Sequence, residues 1–369
     1  MALGTGRLKT AIVAAAACAL LAARAQAAPV PLLVGAVEDS VKNADPAVAM
    51  AKIDLARLAG FNAIRVTVRW SPGAAELEEG ERLELESAAT AAQLSGIRLF
   101  LSVYPATGRV TPLTPAARAE FVSFAVSIAR RLPAITDFVI GNEPNLDTFW
   151  RPQFSWRGTD AAAPTYFNLL AETYDALKAV SPAITVIGGA LAPRGQDNPR
   201  GKRKTHSPTS FIRNLGRAYR RSGRDRPIMD MLSFHPYQEK SRFPPTFRHP
   251  RTQRIIALAD YTKLVAVLAE AFDGTAQPGR ELPVLYDEFG VQSEIPAQKA
   301  GQYRNRRSPL ARDAVPEARQ AAYYRQALEL AACQRTVVGL LFFHLSDEDD
   351  LGAWQSGLHY TDDTPKSSL

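Results

Sequence analysis

Short apolar runs alternate along the chain with longer stretches in which apolar residues recur every three or four positions. Eight of the runs are rich in β-branched and aromatic residues and predict β-strands, at residues 32–37, 62–70, 97–104, 136–142, 183–189, 228–235, 283–289 and 336–345. The stretches between them predict amphipathic helices, at residues 46–60, 85–96, 115–131, 165–180, 208–221, 255–272 and 316–334. Strands that alternate with helices indicate a parallel sheet.

Cap and turn residues mark where several of these helices begin and end. Asp45 and Thr114 stand at the N-cap positions of the first and third helices, and Gly60 and Gly96 follow the first and second. The run VVGLLFF at 337–343 is apolar throughout, which indicates a strand that is covered on both faces. Eight such units close into a barrel, so the sequence predicts an α/β chain with a single (β/α)8 TIM barrel domain.

An open, doubly wound sheet is the alternative fold for alternating strands and helices. Such sheets usually carry a glycine-rich phosphate loop directly after the first strand. No such loop follows residues 32–37 in this chain. The closed barrel is therefore favoured.

The first 27 residues differ in character from the remainder. Arg7 and Lys9 precede an apolar run at 10–23, and Ala25-Gln26-Ala27 forms a small-residue cleavage site. This order predicts a secretory signal peptide at 1–27, with the barrel domain at 28–369 secreted after its removal. Arg24 interrupts the apolar run too early for a membrane span, which needs about 20 residues.

Composition adds limits on the class of protein. Hydrophobic residues make up 46% and charged residues 22%, which is typical of a soluble globular chain. The formal charge of +7 falls to +4 when Arg7, Lys9 and Arg24 leave with the signal peptide, so the basic excess is mild. Cys333 is then the remaining cysteine, and we expect a buried, inert thiol in the last helix rather than a disulfide.

The carboxyl ends of barrel strands are where catalytic side chains gather. The polar residues predicted at these ends are Glu38, Asp39, Arg69, Tyr104, Asn142, Glu143, Arg194, His235, Tyr237, Glu288, His344 and those at 346–350. Glu143 follows the fourth strand and Glu288 the seventh, so the two carboxyl groups face each other across the predicted mouth. Such a pair suits glycoside hydrolysis, because one carboxyl protonates the leaving oxygen while the other attacks the anomeric carbon. Arg65, His235 and Tyr237 are candidate donors that keep the attacking carboxylate ionised.

The segments GNEPN at 141–145 and LYDEFG at 285–290 together resemble the clan A retaining glycoside hydrolases, of the cellulase-like family 5 or of a family 39-like type. The resemblance implies that Glu143 is the acid/base and Glu288 the nucleophile. GFNAIRVTVRW at 60–70 resembles the second-strand pattern of the cellulase-like family 5 enzymes, which implies that Arg65 supports the nucleophile. His235-Pro236-Tyr237 is similar to the His-x-Tyr of strand six, which implies a hydrogen bond from Tyr237 to the nucleophile.

The resemblance also implies retention of configuration on an oligo- or polysaccharide, without a cofactor. The carboxyl groups would then lie about 5 to 5.5 Å apart, and Asn142 would hold the 2-hydroxyl of the sugar. The chain departs from the pattern at the end of strand eight, where FFHLSDEDD at 342–350 replaces the usual tryptophan. Either His344 contacts the sugar, or Trp354 supplies its platform, or the platform is missing. Tyr104 stands nearest to a histidine that the family often has after strand three.

Two further groups of side chains leave alternatives open. Trp150 stands in an aromatic loop after Glu143, and it is either a sugar subsite wall or a hydrophobic plug. The acidic residues 347–350 are expected to be a solvated loop rather than a calcium site, because they lack EF-hand spacing. The histidines show no zinc-ligand spacing, so no metal is expected.

Basic residues cluster at 194–204, 213–226 and 304–307. Solvated loops and helix faces account for such runs, with a weak contact to an anionic cell wall or an acidic glycan as the alternative. We expect a monomer that binds no nucleic acid and has no membrane span. A non-catalytic carbohydrate-binding or cell-surface protein on a decayed barrel is the alternative function. The residues do not identify the sugar, the linkage or endo against exo cleavage, nor a hydrolase against a transglycosylase.

Overall fold

Eight parallel strands form a closed barrel in sequence order. The computed structural model of the chain describes residues 32–305 and 313–369, so the predicted signal peptide lies outside the described residues. The strands are β1 Leu33–Val37, β2 Ala63–Trp70, β3 Arg98–Pro105, β4 Asp137–Ile140, β5 Thr185–Leu191, β6 Met231–Phe234, β7 Val284–Phe289 and β8 Val337–Phe343. Strand β1 pairs with both β2 and β8, which closes the ring. The prediction of a (β/α)8 barrel is confirmed.

The α-helices that connect these strands cover the outside of the barrel. They are α1 Pro46–Leu58, α2 Glu79–Leu94, α3 Pro115–Arg131, α4 Ala162–Val180, α5 Pro208–Ser222, α6 Tyr261–Phe272 and α7 Glu317–Ala332. The helix α2 begins before the predicted residue 85, because its first turn is acidic rather than apolar and an acidic turn suits a helix N-terminus. The helix α6 begins after the predicted residue 255, since residues 258–260 form a 3-10 turn.

The predicted caps are found where the sequence places them. The Asp45 side chain accepts a hydrogen bond from the Ala47 N–H at 2.9 Å, and the Thr114 hydroxyl accepts one from the Ala117 N–H at 3.2 Å. Gly60, just beyond α1, has φ of +79°, a left-handed conformation that glycine adopts without strain. Local chemistry therefore fixes several of the helix boundaries.

The barrel interior is filled by one small set of apolar side chains: Ala63, Phe100, Val139, Ile187, Ala190, Met231, Leu285 and Leu341. Side chains alternate between the two faces of a strand, so every second residue points inward. On β2 the inward positions after Ala63 are Arg65, Thr67 and Arg69. The apolar plug thus gives way to polar side chains toward the carboxyl ends of the strands.

The segment after β8 is tied to the barrel by a buried ion pair. Lys366 Nζ lies 2.6 Å from Asp347 Oδ1, and both side chains are fully buried. The Tyr303 hydroxyl donates to Asp347 Oδ2 at 2.7 Å. The expectation of a solvated loop at 347–350 is therefore wrong for Asp347, because the C-terminal segment folds over it, while Asp349 and Asp350 remain at the surface.

Cys333 is exposed, which contradicts the expectation of a buried thiol. Ala327 and Ala331 form the buried stripe of α7. Cys333 lies beyond this stripe, at the residue where the helix ends. Its apolar neighbours in sequence therefore do not cover it.

His206 links the loop after β4 to the loop after β5. Its buried ring places Nε2 3.2 Å from Asp160 Oδ1 and Nδ1 3.6 Å from Asp197 Oδ1. Burial alone lowers the pKa of His206, but the hydrogen bonds to Asp160 and Asp197 outweigh it and raise the pKa to about 9. The ring is therefore cationic at neutral pH.

We expect this cation to make stability depend on pH. The folded-state pKa of about 9 exceeds the ordinary histidine value of 6.5, so protonated His206 stabilises the fold fully below pH 6.5. That contribution is lost as the pH rises through about 9. The difference in Tm between the wild type and His206→Gln should therefore be largest below pH 6.5 and shrink toward pH 9, as measured by scanning calorimetry. A difference that stays constant over this range would contradict a protonated, paired His206.

Candidate active site

A cavity of about 1890 Å³ opens at the carboxyl ends of the strands. It is lined by the predicted site residues Arg65, Tyr104, Asn142, Glu143, Tyr237, Glu288, His344 and Trp354. His235 lies beneath its floor and is fully buried. The structure therefore brings nine of the ten predicted residues to one place, and Trp150 is the exception.

Glu143 enters the cavity from a sharp turn after β4. Its own φ is +39°, a strained value for a residue with a side chain, and Gly141 before it has φ of +97°. A side chain at position 141 would meet the Tyr166 ring at 2.9 Å, so the turn requires glycine there. The Glu143 N–H donates to the Ala190 carbonyl at 2.8 Å, which anchors the turn to β5. The backbone thus presents the carboxyl group to the cavity.

Glu288 reaches the cavity because β7 is irregular. Tyr286 pairs with Leu340 of β8 and Phe289 pairs with Phe342, so an extra residue is accommodated on β7. Regular alternation would send two consecutive side chains to opposite faces. The bulge instead allows Asp287 and Glu288 to approach the same partner.

Arg65 is that partner. Its Nη1 lies 2.6 Å from Asp287 Oδ2 and its Nη2 lies 2.6 Å from Glu288 Oε1. Burial alone lowers the pKa of Arg65, but the negative charges of Glu288 and Asp287 outweigh it and raise that pKa. The guanidinium therefore holds both carboxyl groups in fixed orientations.

His235 lies between the carboxyl groups of β4 and β7. Its Nδ1 is 3.1 Å from Glu143 Oε1 and 3.4 Å from Glu288 Oε2, and its Nε2 is 3.3 Å from Asp287 Oδ1 without hydrogen-bond alignment. Burial lowers the pKa of His235, but the charges of Glu288 and Asp287 raise it to about 10. The Tyr237 hydroxyl also donates to Glu288 Oε2, at 3.2 Å. Both oxygens of Glu288 are thus held by donors.

Asp287 belongs to the site although it was not among the predicted residues. Burial alone raises its pKa, but the charges of His235 and Arg65 lower that pKa to about 2. Asp287 is therefore ionised throughout the physiological range. Its signal in the sequence was a second carboxyl inside an apolar strand, directly before Glu288.

The remaining wall contains polar atoms that are available to a ligand. Asn142 Oδ1 is buried and has no hydrogen-bond partner among residues 32–305 and 313–369. The Tyr104 ring contacts Phe149 edge to face, with centroids 6.2 Å apart. An amide oxygen without a partner beside two carboxyl groups can accept a hydrogen bond from a hydroxyl of a bound molecule.

His344 and Trp354 both lie at the β8 side of the cavity. His344 Nδ1 is 3.2 Å from the Val37 carbonyl, and its Nε2 has no hydrogen-bond partner in the described part of the chain. The Trp354 ring lies 5.3 Å from the Tyr237 ring and 5.8 Å from the Phe343 ring. An imidazole and an indole therefore both line the cavity at this side.

Trp150 is not a wall of the cavity, which corrects that interpretation in favour of the hydrophobic plug. Its side chain is 1% exposed, and its Nε1 donates to the Thr165 hydroxyl at 3.0 Å. The ring meets the Tyr166 ring edge to face at 5.5 Å. Trp150 thus fastens its loop to α4.

The described residues contain no group of three or more His, Cys, Asp or Glu side chains placed to hold a metal ion. Within the same ranges, none of the helices is both long enough and apolar enough to cross a bilayer. The side chains that line or underlie the cavity include carboxyl, imidazole, phenol and guanidinium groups. Two carboxyl groups that face one cavity can serve as a proton donor and a nucleophile.

Comparisons with known proteins agree with the fold. No family model and no curated sequence matches the chain. Similar solved structures include the GH39 enzyme from Xanthomonas axonopodis pv. citri, at 16% identity and a TM-score of 0.54, covering 91% of this chain and 64% of that one. A monomeric beta-xylosidase from Caulobacter crescentus CB15 has 17% identity and a TM-score of 0.54, covering 91% and 66%.

A third similar structure is the exo-beta-1,4-mannosidase from Opitutaceae bacterium strain TAV5, at 16% identity and a TM-score of 0.54, covering 91% of this chain and 57% of that one. At such identities the likeness shows that the chain shares the barrel fold of these glycosidases. The chain spans less than two thirds of the length of each of these three proteins. The shared part is the barrel.

Asp287→Asn should lower the pKa of the His235 imidazolium below its value of about 10, because one of the two strongest nearby negative charges is removed. The pKa can be measured from the imidazole nitrogen shifts in an NMR titration. Asp54→Asn, on the exposed surface of α1, is the matched control and should leave this titration unchanged. An identical His235 titration in the Asp287 variant would show that the two groups are not coupled.

Proposed function

We propose that the chain is a retaining glycoside hydrolase that cleaves an oligo- or polysaccharide, with Glu143 as acid/base and Glu288 as nucleophile. The observation that carries the proposal is that both carboxyl groups line the same cavity and both contact His235 beneath its floor. The order of the motifs along the barrel strands supports it as well. Export after removal of residues 1–27 is part of the same proposal.

The separation of the two carboxyl groups favours retention of configuration. His235 Nδ1 lies 3.1 Å from Glu143 Oε1 and 3.4 Å from Glu288 Oε2, so these oxygens are at most about 6.5 Å apart, the sum of the two distances. Retaining enzymes hold their carboxyl groups about 5 to 5.5 Å apart, whereas inverting enzymes need about 6.5 to 9.5 Å to admit a water molecule. The upper bound therefore fits direct attack by Glu288 better than attack by water.

In the first step, Glu288 attacks the anomeric carbon and Glu143 gives its proton to the glycosidic oxygen. The bond from the anomeric carbon to that oxygen breaks, and an ester bond to Glu288 forms. In the second step, Glu143 takes a proton from a water molecule, whose oxygen attacks the same carbon and releases Glu288. Each residue returns to its starting protonation state.

The position of His235 suits the movement of charge in this cycle. Glu288 loses its negative charge when the ester forms, while Glu143 gains one when it gives up its proton. Nδ1 of His235 lies within 3.4 Å of an oxygen of each group. One imidazolium can therefore stabilise whichever carboxylate is ionised, and its surroundings need little reorganisation.

The other cavity residues would orient the sugar. Asn142 Oδ1, which has no partner among the described residues, is placed to accept a hydrogen bond from a sugar hydroxyl. Trp354 offers a ring face beside Tyr237, and His344 offers Nε2. Tyr104 bounds the cavity on the β3 side. These contacts would position the anomeric carbon for Glu288.

Glu288→Gln should reduce the hydrolysis of aryl glycosides by about 10⁴-fold or more, because an amide cannot form the ester. Glu143→Gln should reduce kcat/KM by about 10² to 10⁴-fold for substrates with poor leaving groups. For substrates with dinitrophenyl leaving groups, which need no proton, the rate of the first step should fall much less. The measurement is kcat/KM over a panel of aryl glycosides. Glu270→Gln, on the exposed side of α6, is the control and should be fully active.

The activity of the wild type on this panel distinguishes a glycosidase from a non-catalytic sugar-binding protein, because the latter would hydrolyse none of the aryl glycosides. Turnover that survives Glu288→Gln would remove Glu288 from the mechanism. Circular dichroism of each variant separates lost chemistry from lost folding.

The anomeric configuration of the first-formed product is a separate prediction. We expect it to match that of the substrate, because two displacements at one carbon restore the original stereochemistry. Proton NMR recorded within the first minutes of hydrolysis reports the anomer before mutarotation. An inverted first product would exclude Glu288 as a covalent nucleophile.

A further inference from the structure

Four basic side chains around the mouth of the cavity form no ion pair within the described part of the chain, although Arg194 Nη1 donates to the Gln238 carbonyl at 3.5 Å. Arg69 at the end of β2, Arg194 and Arg203 after β5, and Lys240 after β6 line the cavity and are exposed. None of them lies within 4.0 Å of a carboxylate among residues 32–305 and 313–369. We refer to these four residues as the cationic rim.

Most carboxylates of the same wall already have structural partners. Glu38 and Asp39 accept backbone N–H groups, as do Asp313 and Glu348, while Asp347 pairs with Lys366 and Asp349 with Arg304. Asp147 and Glu239 line the cavity without such a contact in the described part of the chain. The lining as a whole contains ten Asp and Glu residues and eight Lys and Arg residues, so the cationic rim is a local group of cations without ion pairs and not a net positive charge of the mouth.

Arg69 is held by the barrel rather than by a loop. It occupies an inward position of β2 and pairs in register with Tyr104 of β3. A strand residue at the carboxyl end of a barrel has a fixed backbone, so its guanidinium extends into the cavity from a rigid base. The position of the Arg69 guanidinium is therefore limited by the backbone of β2 rather than by a loop.

Aromatic side chains are scarce where the cations are dense. The loop after β5 supplies no aromatic residue to the cavity, and the loop after β6 supplies only Phe243 beyond Tyr237. The Phe243 ring is stacked on Phe247, with centroids 5.2 Å apart. Sugar units on this side would therefore meet charged groups rather than ring faces.

Building on the proposed function, we infer that the substrate is an anionic glycan whose acidic sugar units bind at the cationic rim. A guanidinium offers paired N–H donors that match the two oxygens of a carboxylate or of a sulfate. A neutral polysaccharide would offer these four cations no carboxylate or sulfate to bind. An acidic glycan instead exchanges their solvent contacts for charge-assisted hydrogen bonds.

The direct test is binding to Glu288→Gln, which should not consume the ligand. The probes are oligogalacturonates and glucuronoxylan oligosaccharides with their carboxyl-reduced counterparts, and sulfated galactan oligosaccharides with their desulfated counterparts. We expect a charged member to bind at least about tenfold more tightly than its neutral counterpart, by calorimetry at low salt. The carboxylated and sulfated pairs identify which acidic group is recognised.

Substitutions at the rim assign the preference to named residues. Arg194→Ala/Arg203→Ala and Arg69→Ala, each in the Glu288→Gln background, should weaken binding of the charged member by about tenfold and leave the neutral member unchanged. Raising the salt concentration from about 0.05 M to about 0.5 M should reduce the preference in the parent protein, because exposed charges are screened. Arg221→Ala, at the last turn of α5 and thus at the opposite end of the barrel, is the matched control.

Equal affinity for the charged and neutral members of every pair, including no binding to any, would overturn the inference. So would a preference that persists at high salt or that Arg221→Ala reduces equally. None of these results bears on the proposed function, because that proposal is tested by the turnover of aryl glycosides by the wild type. Conversely, tight and salt-sensitive binding without any turnover would support the cationic rim and reject the hydrolase.

Discussion

The contact of Arg65 with both Asp287 and Glu288 is the interaction on which the site depends. The guanidinium is almost completely buried, and a buried charge is tolerated only when opposite charges and hydrogen bonds surround it. With Glu143 and His235 included, the group contains three carboxyl groups and two cations. Removing one partner from such a group leaves an unpaired buried charge, which costs about 3 to 5 kcal/mol. The charges therefore hold one another in place.

The barrel makes this arrangement possible in two ways. Its lower interior is filled by apolar side chains such as Phe100 and Leu285, so water does not screen the charges from below. Its strands also end in distortions that re-aim side chains, with the bulge on β7 at Asp287 and Glu288 and the left-handed turn at Glu143. Each distortion costs free energy locally, and the hydrogen bonds around it offset that cost.

Much of the fold and of the site could be predicted because regular patterns determine them. The eight strands follow from apolar runs, and Glu143 and Glu288 follow from carboxyl groups placed at the ends of such runs. Asp287 could not be assigned, because a regular strand would place it on the face opposite to Glu288, and the bulge on β7 that brings both side chains to Arg65 has no evident signal in the sequence. Trp150 could not be assigned either, since an aromatic residue in a loop is equally suited to a wall or a plug. The contacts of Trp150 with Thr165 and Tyr166 of α4 show that it is a plug.

The exposure of two side chains, Cys333 and Asp347, was also predicted wrongly. Cys333 continues an apolar sequence but lies past the end of its helix, whereas Asp347 lies in an acidic sequence but beneath the C-terminal segment. In both cases the partner that determines exposure is distant in sequence. The same principle applies to specificity: the barrel is shared with proteins of 16 to 17% identity, while the loops after β5 and β6 carry residues such as Arg194 and Lys240. A common fold can therefore hold the paired carboxyl groups of the cavity, while its loops differ in the charges that they place around the mouth.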